Sequence, residues 1–69
     1  MKYKVDDWVF YKPFPNDESK VLNSIVERAV VLWVYQKDEY YDYDIYIESN
    51  GKKKKVKEYQ LFPISDPTY

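Results

Sequence analysis

The sequence predicts a small all-β domain of five strands closed into a barrel, and three observations indicate it. Apolar and polar residues alternate with the period of a strand in several short segments. The dipeptide Asn50-Gly51, which holds the one glycine of the chain, separates two of these segments as in a β-hairpin. Nine tyrosines among 69 residues also favour strands. A chain of this length builds one domain, predicted at residues 1–64, with a C-terminal tail at 65–69.

The first strand is predicted from Tyr3 to Tyr11, and it ends where Pro13 and Pro15 interrupt a hydrogen-bonded ladder. Its two faces follow from the alternation of side chains along a strand. One face would carry Tyr3, Val5, Val9 and Tyr11, and the other would carry Lys4, Asp6, Trp8, Phe10 and Lys12.

Residues 16–24 are compatible with two structures. Asn16 is a possible helix cap, and the apolar residues after it have nearly helical spacing. We expect a long loop here with at most one helical turn. The segment from Ile25 to Tyr35 is rich in β-branched residues and apolar on both faces, which is typical of a central or strongly bent strand. A polar turn at 36–39 follows it.

The Asn50-Gly51 hairpin is predicted to have a two-residue type I′ turn, because both residues accept a positive φ angle. That turn fixes the register of the two strands. It would pair Ser49 with Lys52, Glu48 with Lys53, Tyr46 with Lys55, Ile45 with Val56 and Asp44 with Lys57. Lysines would then lie opposite acidic residues in the pairs of Glu48 with Lys53 and Asp44 with Lys57, where cross-strand pairs of opposite charge stabilise a sheet.

The chain ends with a tight turn at 58–61 and a short strand from Phe62 to Ile64, an edge strand because it contains Pro63. The predicted core is drawn from the inward positions of all these strands. It consists of Val5, Val9, Ala29, Val31, Ile45, Val56, Leu61 and Ile64.

Composition excludes several classes of function. The chain has no cysteine and no histidine, so it lacks thiol and imidazole catalysis and zinc-finger ligands. A single glycine rules out a glycine-rich phosphate loop. No apolar run reaches the roughly 20 residues of a membrane span, and the N-terminus lacks the apolar region of a signal peptide. We therefore expect a cytoplasmic protein that is not an enzyme and has no cofactor.

Four segments, in order, resemble the SH3-like barrels of the Tudor and KOW type over most of residues 3–64. Residues 5–9 (V-D-D-W-V) are similar to the opening V-G-D-x-V of that family, and residues 29–31 (A-V-V) to its A-x-[IV] segment. Residues 43–52 resemble its Y-x-V-x-F…D-G-x segment, and residues 58–64 its closing e-x-x-L-x-P-[IL]. The chain has Asp6 where the family usually has glycine. The resemblance implies a five-stranded barrel that binds either proteins or nucleic acids.

Exposed aromatic residues make protein binding the first hypothesis. Trp8 and Phe10 are neighbours on the polar face of the first strand and are flanked by charges, as in an interaction patch. Lysine, tyrosine, aspartate and isoleucine are abundant, as in proteins from AT-rich genomes, which would suit a phage or bacterial modulator of a larger protein. Oligomeric state stays open. The candidate binding residues are Trp8, Phe10, Phe14, Tyr40, Tyr41, Tyr46, Lys53 and Lys55.

Nucleic-acid binding is the alternative that the KOW resemblance implies. The lysine-rich hairpin would meet phosphates while Tyr46, Trp8 or Phe10 stack on bases. The acidic residues at 38, 39, 42 and 44 oppose it. The Tudor resemblance also raises methyl-lysine binding, but only Phe14 and Tyr46 stand where an aromatic cage would need them, so we do not expect that activity.

Overall fold

The computed structural model describes residues 2–37 and 40–64, which form one antiparallel sheet of five strands in the order β4-β3-β2-β1-β5. The all-β prediction of five strands is thereby confirmed. The predicted tail at 65–69 and residues 38–39 of the predicted polar turn lie outside the described residues. In chain order the elements are β1 (Trp8–Tyr11), α1 (Lys20–Asn23), β2 (Glu27–Val34), β3 (Tyr43–Ile47), β4 (Lys52–Val56), a 3-10 turn (Glu58–Gln60) and β5 (Leu61–Pro63).

The first strand is shorter than predicted because the chain turns at Val5 and Asp6. Asp6 has a φ angle of 76°, in the left-handed region that aspartate tolerates better than most residues. Its N–H donates to the carbonyl of Val31 at 2.8 Å, and the N–H of Val31 donates to Asp7 at 2.9 Å. The turn swings Val5 outward, where it is 45% exposed, so its predicted place in the core is wrong. Asp6 thus adopts a backbone conformation that glycine adopts most readily.

The second strand is central in the sheet and irregular, as predicted for a segment that is apolar on both faces. Its register to β3 shifts between Val31 and Trp33, which marks a β-bulge. Ala29 and Val31 therefore face the core before the bulge, whereas Trp33 after it is 58% exposed and Val34 packs against the core. The strand is shorter at both ends than the predicted 25–35.

Residues 16–24 contain one short helical turn, α1, as expected. Its cap is Ser19 rather than Asn16, because the Oγ of Ser19 accepts a hydrogen bond from the N–H of Leu22 at 3.4 Å. The rest of the segment is loop and bend.

The predicted register of the hairpin is wrong by two residues. The observed pairs include Tyr46 with Lys53, Ile45 with Lys54 and Asp44 with Lys55, and the turn spans residues 48–51. Gly51 alone of these four has a positive φ, and its N–H donates to the carbonyl of Ile47 at 2.8 Å, so this is not a type I′ turn.

Contacts with β2 explain the longer turn. The N–H of Glu48 donates to the carbonyl of Arg28 at 2.9 Å, and the hydroxyl of Ser49 donates to the carboxylate of Glu27 at 2.8 Å. These bonds hold residues 48 and 49 beside β2 instead of opposite β4. A shift of two residues leaves every side chain on its predicted face, because the side-chain period of a strand is also two.

The core lies on the inner face of the sheet, and most of it was predicted. Val9, Ala29, Val31, Ile45, Val56 and Leu61 are buried as expected. Ile64 is only partly buried, because β5 covers Leu61–Pro63 rather than the predicted Phe62–Ile64 and ends before it. The prediction omitted four further buried residues, which are Tyr3, Tyr11, Tyr43 and Ile47.

Tyr43 joins distant parts of the chain through its hydroxyl group. The side chain is 0% exposed, and its hydroxyl accepts hydrogen bonds from the N–H groups of Lys2 at 3.2 Å and Tyr3 at 3.1 Å. The same hydroxyl donates to the Oε1 of Glu58 at 2.7 Å. Burial raises the pKa of Tyr43 to about 12, and the hydrogen bond from Tyr43, followed by that from the backbone of Lys2, lowers the pKa of Glu58.

Tyr3 extends this connection to the last strand. Its ring meets the ring of Tyr43 edge-on, with centroids 5.7 Å apart. Its hydroxyl donates to the carbonyl of Leu61 at 3.2 Å. The segment before β1 is therefore fastened to β3, to the 3-10 turn and to β5.

The backbone conformation of Asp6 gives a first test. Asp6→Gly should raise the free energy of unfolding by about 1 kcal/mol, because glycine adopts a positive φ without steric cost. Asp6→Ala should lower it by about 0.5 kcal/mol, because alanine tolerates a positive φ less well than aspartate does. Urea denaturation of the three proteins measures both changes, and a destabilised glycine variant would contradict the described turn.

The lowered pKa of Glu58 gives a second test. Because the pKa is lower in the folded state than the ordinary 4.5, the charged carboxylate stabilises the fold above that pH, and the contribution is lost as the pH falls through the folded-state pKa. As the pH falls below about 5, the free energy of unfolding of the wild type should therefore fall more steeply than that of Glu58→Gln. Curves that keep a constant separation would contradict the bond to Tyr43.

Candidate functional site

The outer face of the sheet, the face away from the core, carries a patch of exposed aromatic side chains. The strand registers place Trp8, Val30, Tyr46 and Lys53 in one row across four strands. A second row places Phe62 and Phe10 beside Arg28. The aromatic members of the patch are Trp8 (43% exposed), Phe10 (37%), Trp33 (58%), Tyr46 (38%) and Phe62 (38%).

Charged side chains cover parts of this aromatic patch. The guanidinium of Arg28 lies 4.7 Å from the centroid of the Trp8 ring, and its Nε lies 3.9 Å from the Oε1 of Glu48. The ammonium of Lys12 lies 5.3 Å from the centroid of the Phe62 ring. Cations over aromatic rings at exposed positions contribute modestly to stability. The patch is thus apolar with cationic groups inside and around it.

The lysine run of β4 is divided between the two sides of the sheet. Lys53 stands opposite Tyr46 and Lys55 opposite Asp44 on the outer side, whereas Lys52 and Lys54 have the inward parity of Val56. The ammonium of Lys55 donates to the hydroxyl of Tyr35 at 2.8 Å, and that hydroxyl donates to the carboxylate of Asp44 at 2.7 Å. The predicted neutralisation of lysines by acidic residues therefore occurs at Lys55, through Tyr35, and the predicted pairs of Glu48 with Lys53 and Asp44 with Lys57 do not form.

Tyr40 and Tyr41 lie apart from the outer patch, at a pocket between β4 and the 3-10 turn. Their rings pack edge-to-face with centroids 4.7 Å apart, and the ammonium of Lys57 lies 4.3 Å from the centroid of the Tyr40 ring. Burial raises the pKa of Tyr11, and the neighbouring Tyr59 adds to the rise. The pocket has a volume of about 230 Å³ and is lined by Tyr11, Tyr40, Tyr41, Lys54, Lys55, Lys57, Tyr59 and Gln60. We call it the tyrosine–lysine pocket.

Phe14 lies in a second depression of about 280 Å³, which adjoins the first because Tyr59 lines both. Its other lining residues are Pro13, Pro15, Asn16 and Asp17. We call it the proline depression.

The side chain of Gln60 connects the two depressions. Its amide nitrogen donates to the carbonyl of Pro13 at 3.1 Å, and its amide oxygen accepts from the N–H of Lys57 at 3.0 Å. The carbonyl of Gln60 also accepts from the N–H of Lys12 at 2.8 Å. These bonds fix the floor between the two depressions.

The structure therefore separates the eight predicted binding residues into two surfaces. Trp8, Phe10, Tyr46 and Lys53 lie on the outer patch, Phe14, Tyr40 and Tyr41 line the two depressions, and Lys55 contributes to the rim of both. Sequence reasoning missed Arg28, Trp33 and Phe62 on the outer patch. It considered Lys54 and Lys57 as phosphate contacts of the lysine-rich hairpin, and it missed Tyr59 in the tyrosine–lysine pocket. Alternation along the strands could have predicted that Arg28 and Phe62 face outward. It could not have predicted the orientation of Trp33, because the bulge in β2 interrupts the alternation there.

Other kinds of site are not found in the part of the chain that the structure describes. Within residues 2–37 and 40–64, no group of His, Cys, Asp or Glu side chains is placed to hold a metal ion. No helix in these ranges is long and apolar enough to cross a membrane. Phe14 and Tyr46, the two aromatic residues considered for a methyl-lysine cage, lie on different surfaces.

Comparison with known proteins defines the class of fold. A scan against protein-family models finds no match, and a search of curated proteins finds none either. The NMR structure of Bacillus subtilis protein YorP is similar to this chain, with a TM-score of 0.67 and 18% sequence identity. The similarity covers 97% of this chain and 75% of YorP. It shows a shared small fold with a five-stranded antiparallel sheet, and at this identity it shows the fold alone.

Proposed function

We propose that this chain is a non-enzymatic, cytoplasmic protein-binding module of the SH3-like type, and that the outer patch contacts a larger partner. One observation carries the proposal: five exposed aromatic side chains share one face of a small sheet with an arginine among them. Tryptophan, tyrosine and arginine are the residues that most often dominate binding energy at protein interfaces. A contiguous exposed apolar surface is also characteristic of interaction sites.

Two features of the patch suit recognition of a protein. Its side chains stand on paired strands, whose ladder fixes their spacing and leaves little rearrangement for binding to impose. Its rim carries both signs of charge, with Lys12 and Lys53 on one hand and Glu48 and Asp44 on the other. A rim of mixed charge around an aromatic centre matches the general anatomy of protein interfaces.

Support for the SH3-like type comes from the connections between strands. A 3-10 turn leads into the last strand, as the resemblance at residues 58–64 implies, and β1 lies between β2 and β5. The bulge in β2 bends the central strand. Tyr3 and Tyr43 fasten the N-terminal segment over the core. These features favour a strongly curved sheet of the Tudor or KOW kind.

Nucleic-acid binding is a second candidate, favoured by the position of Lys53 beside Tyr46 on the outer face. A cation next to an exposed ring can meet a phosphate while the ring stacks on a base. The division of the lysine run between two sides of β4 reduces the positive potential on either one. We therefore place this candidate second.

Capture of partners from a bacterial lysate tests the proposal through differences between variants. Trp8→Ser and Phe62→Ser each remove an exposed ring from the outer patch, whereas Val21→Ser removes a side chain of α1 that is 75% exposed. The relevant partners are the proteins that wild type and Val21→Ser capture in equal amounts. We expect the captured amount of these partners to be lower by about tenfold or more with each patch variant, because truncating a central aromatic residue costs about 2 kcal/mol or more.

The outcome also separates the two candidates. Equal capture by all four proteins would overturn the outer-patch proposal. If nuclease treatment of the lysate abolishes the patch-dependent capture, the retained material is nucleic acid or depends on it, and the second candidate replaces the first. Melting curves of each variant check that the fold is intact.

A further inference from the structure

The tyrosine–lysine pocket and the proline depression together form a groove that the outer-patch proposal does not use. Tyr59 lines both halves and is 57% exposed, so it stands between them as a shared wall. The bonds of Gln60 to Pro13 and Lys57 hold the groove in place without a ligand. A preformed groove avoids the ordering cost that a flexible site imposes on binding.

Charge is distributed unequally along this groove. Three lysines line the tyrosine–lysine pocket, and no carboxylate lines it within the described residues. The backbone of Lys54 is part of the ladder between β4 and β3, but its ammonium group forms no hydrogen bond or ion pair with another described residue. The proline depression carries no cation among its described lining residues, and it includes Asp17. One half of the groove is therefore positive, and the other combines the rings of Phe14 and Tyr59 with polar Asn16 and a single acidic group.

We propose that this groove binds an extended acidic peptide segment of a partner protein. Carboxylates of the peptide meet the ammonium groups of Lys54 and Lys57, and tyrosine hydroxyls supply further hydrogen-bond donors. An apolar side chain a few residues away along the peptide packs against Phe14 and Tyr59 in the proline depression. The site is additional to the outer patch and shares with it only Lys55, at the rim of both.

The distribution of charge decides between a peptide and other ligands. A nucleic acid carries a phosphate at every nucleotide, so a strand laid along the whole groove would bring phosphates to Asp17 and to a half without cations. A methylated lysine would be repelled by the three lysines of the other half. A peptide can place acidic and apolar side chains separately, which matches the two halves.

Fluorescence anisotropy with defined probes tests the proposal. The probe is a short labelled peptide with several glutamates on one side of a leucine-proline pair, and its control has glutamine at every glutamate position. A labelled oligothymidylate serves as the nucleic-acid probe. We expect the glutamate peptide to bind, to weaken as salt rises, and to bind more tightly than both the glutamine peptide and the oligothymidylate.

Two neighbouring lysines provide a matched pair of variants. Lys54→Glu reverses a charge in the tyrosine–lysine pocket, and Lys53→Glu makes the same change one residue earlier, on the outer side of β4. We expect Lys54→Glu to weaken binding of the glutamate peptide about tenfold, and Lys53→Glu to weaken it less than about twofold, because the interaction depends on distance. Tyr59→Ala, which removes the shared wall, should also weaken it about tenfold.

Each other outcome overturns the proposal. The proposal is wrong if the glutamate peptide does not bind at its highest soluble concentration. It is also wrong if the two lysine variants weaken binding equally, because equal effects indicate diffuse charge attraction without a defined site. Tighter binding of the oligothymidylate would assign the groove to nucleic acid. Loss of binding to Trp8→Ser but not to Tyr59→Ala would place the peptide on the outer patch, and thus separates this proposal from the proposed function.

Discussion

The buried hydroxyl group of Tyr43 is the constraint on which the rest of the structure depends. A five-stranded sheet this small has two edges and one exposed inner face unless something folds over that face. The segment before β1 supplies the cover, and its Lys2 and Tyr3 N–H groups have the Tyr43 hydroxyl as an acceptor. The same oxygen donates to Glu58. A buried phenol without these partners would cost free energy instead of stabilising the fold.

The hydrogen bonds of Tyr43 and Tyr3 position residues of both candidate surfaces. Glu58 begins the 3-10 turn that carries Tyr59 and Gln60, so its bond to Tyr43 positions the wall and the floor of the groove. Tyr3 is bonded to Leu61 at the start of β5, which presents Phe62 to the outer patch. The core interaction therefore sets the geometry of two surfaces that share no aromatic side chain with each other.

Local patterns made much of the fold predictable, whereas long-range contacts limited the prediction. The alternation of apolar and polar residues predicted which side of the sheet each side chain faces. These predictions were correct in the hairpin although its register was wrong, because a shift of two residues keeps each side chain on the same face. The turn at Asp6 was missed, because an aspartate between lysine and tryptophan positions fits a polar strand face as well as a left-handed turn. The role of Tyr43 depends on partners about 40 residues away in sequence, which no local pattern contains.

The candidate surfaces divide in the same way. Trp8, Phe10 and Tyr46 were found because strand parity places them outward. The groove was not predicted from the sequence. Its residues Phe14, Lys54 and Tyr59 come from three separated segments, which meet only when the 3-10 turn packs against the loop after β1.

Urea denaturation of Tyr43→Phe, beside Tyr46→Phe as the control, tests the central role of the buried hydroxyl most directly. Both changes delete one phenolic oxygen from β3, buried in the first case and exposed in the second. We expect Tyr43→Phe to lower the free energy of unfolding by about 1–3 kcal/mol, since it leaves the buried N–H of Tyr3 without its acceptor. Tyr46→Phe should change it by less than about 0.5 kcal/mol. Equal, small effects of the two changes would contradict the central role of the Tyr43 hydroxyl.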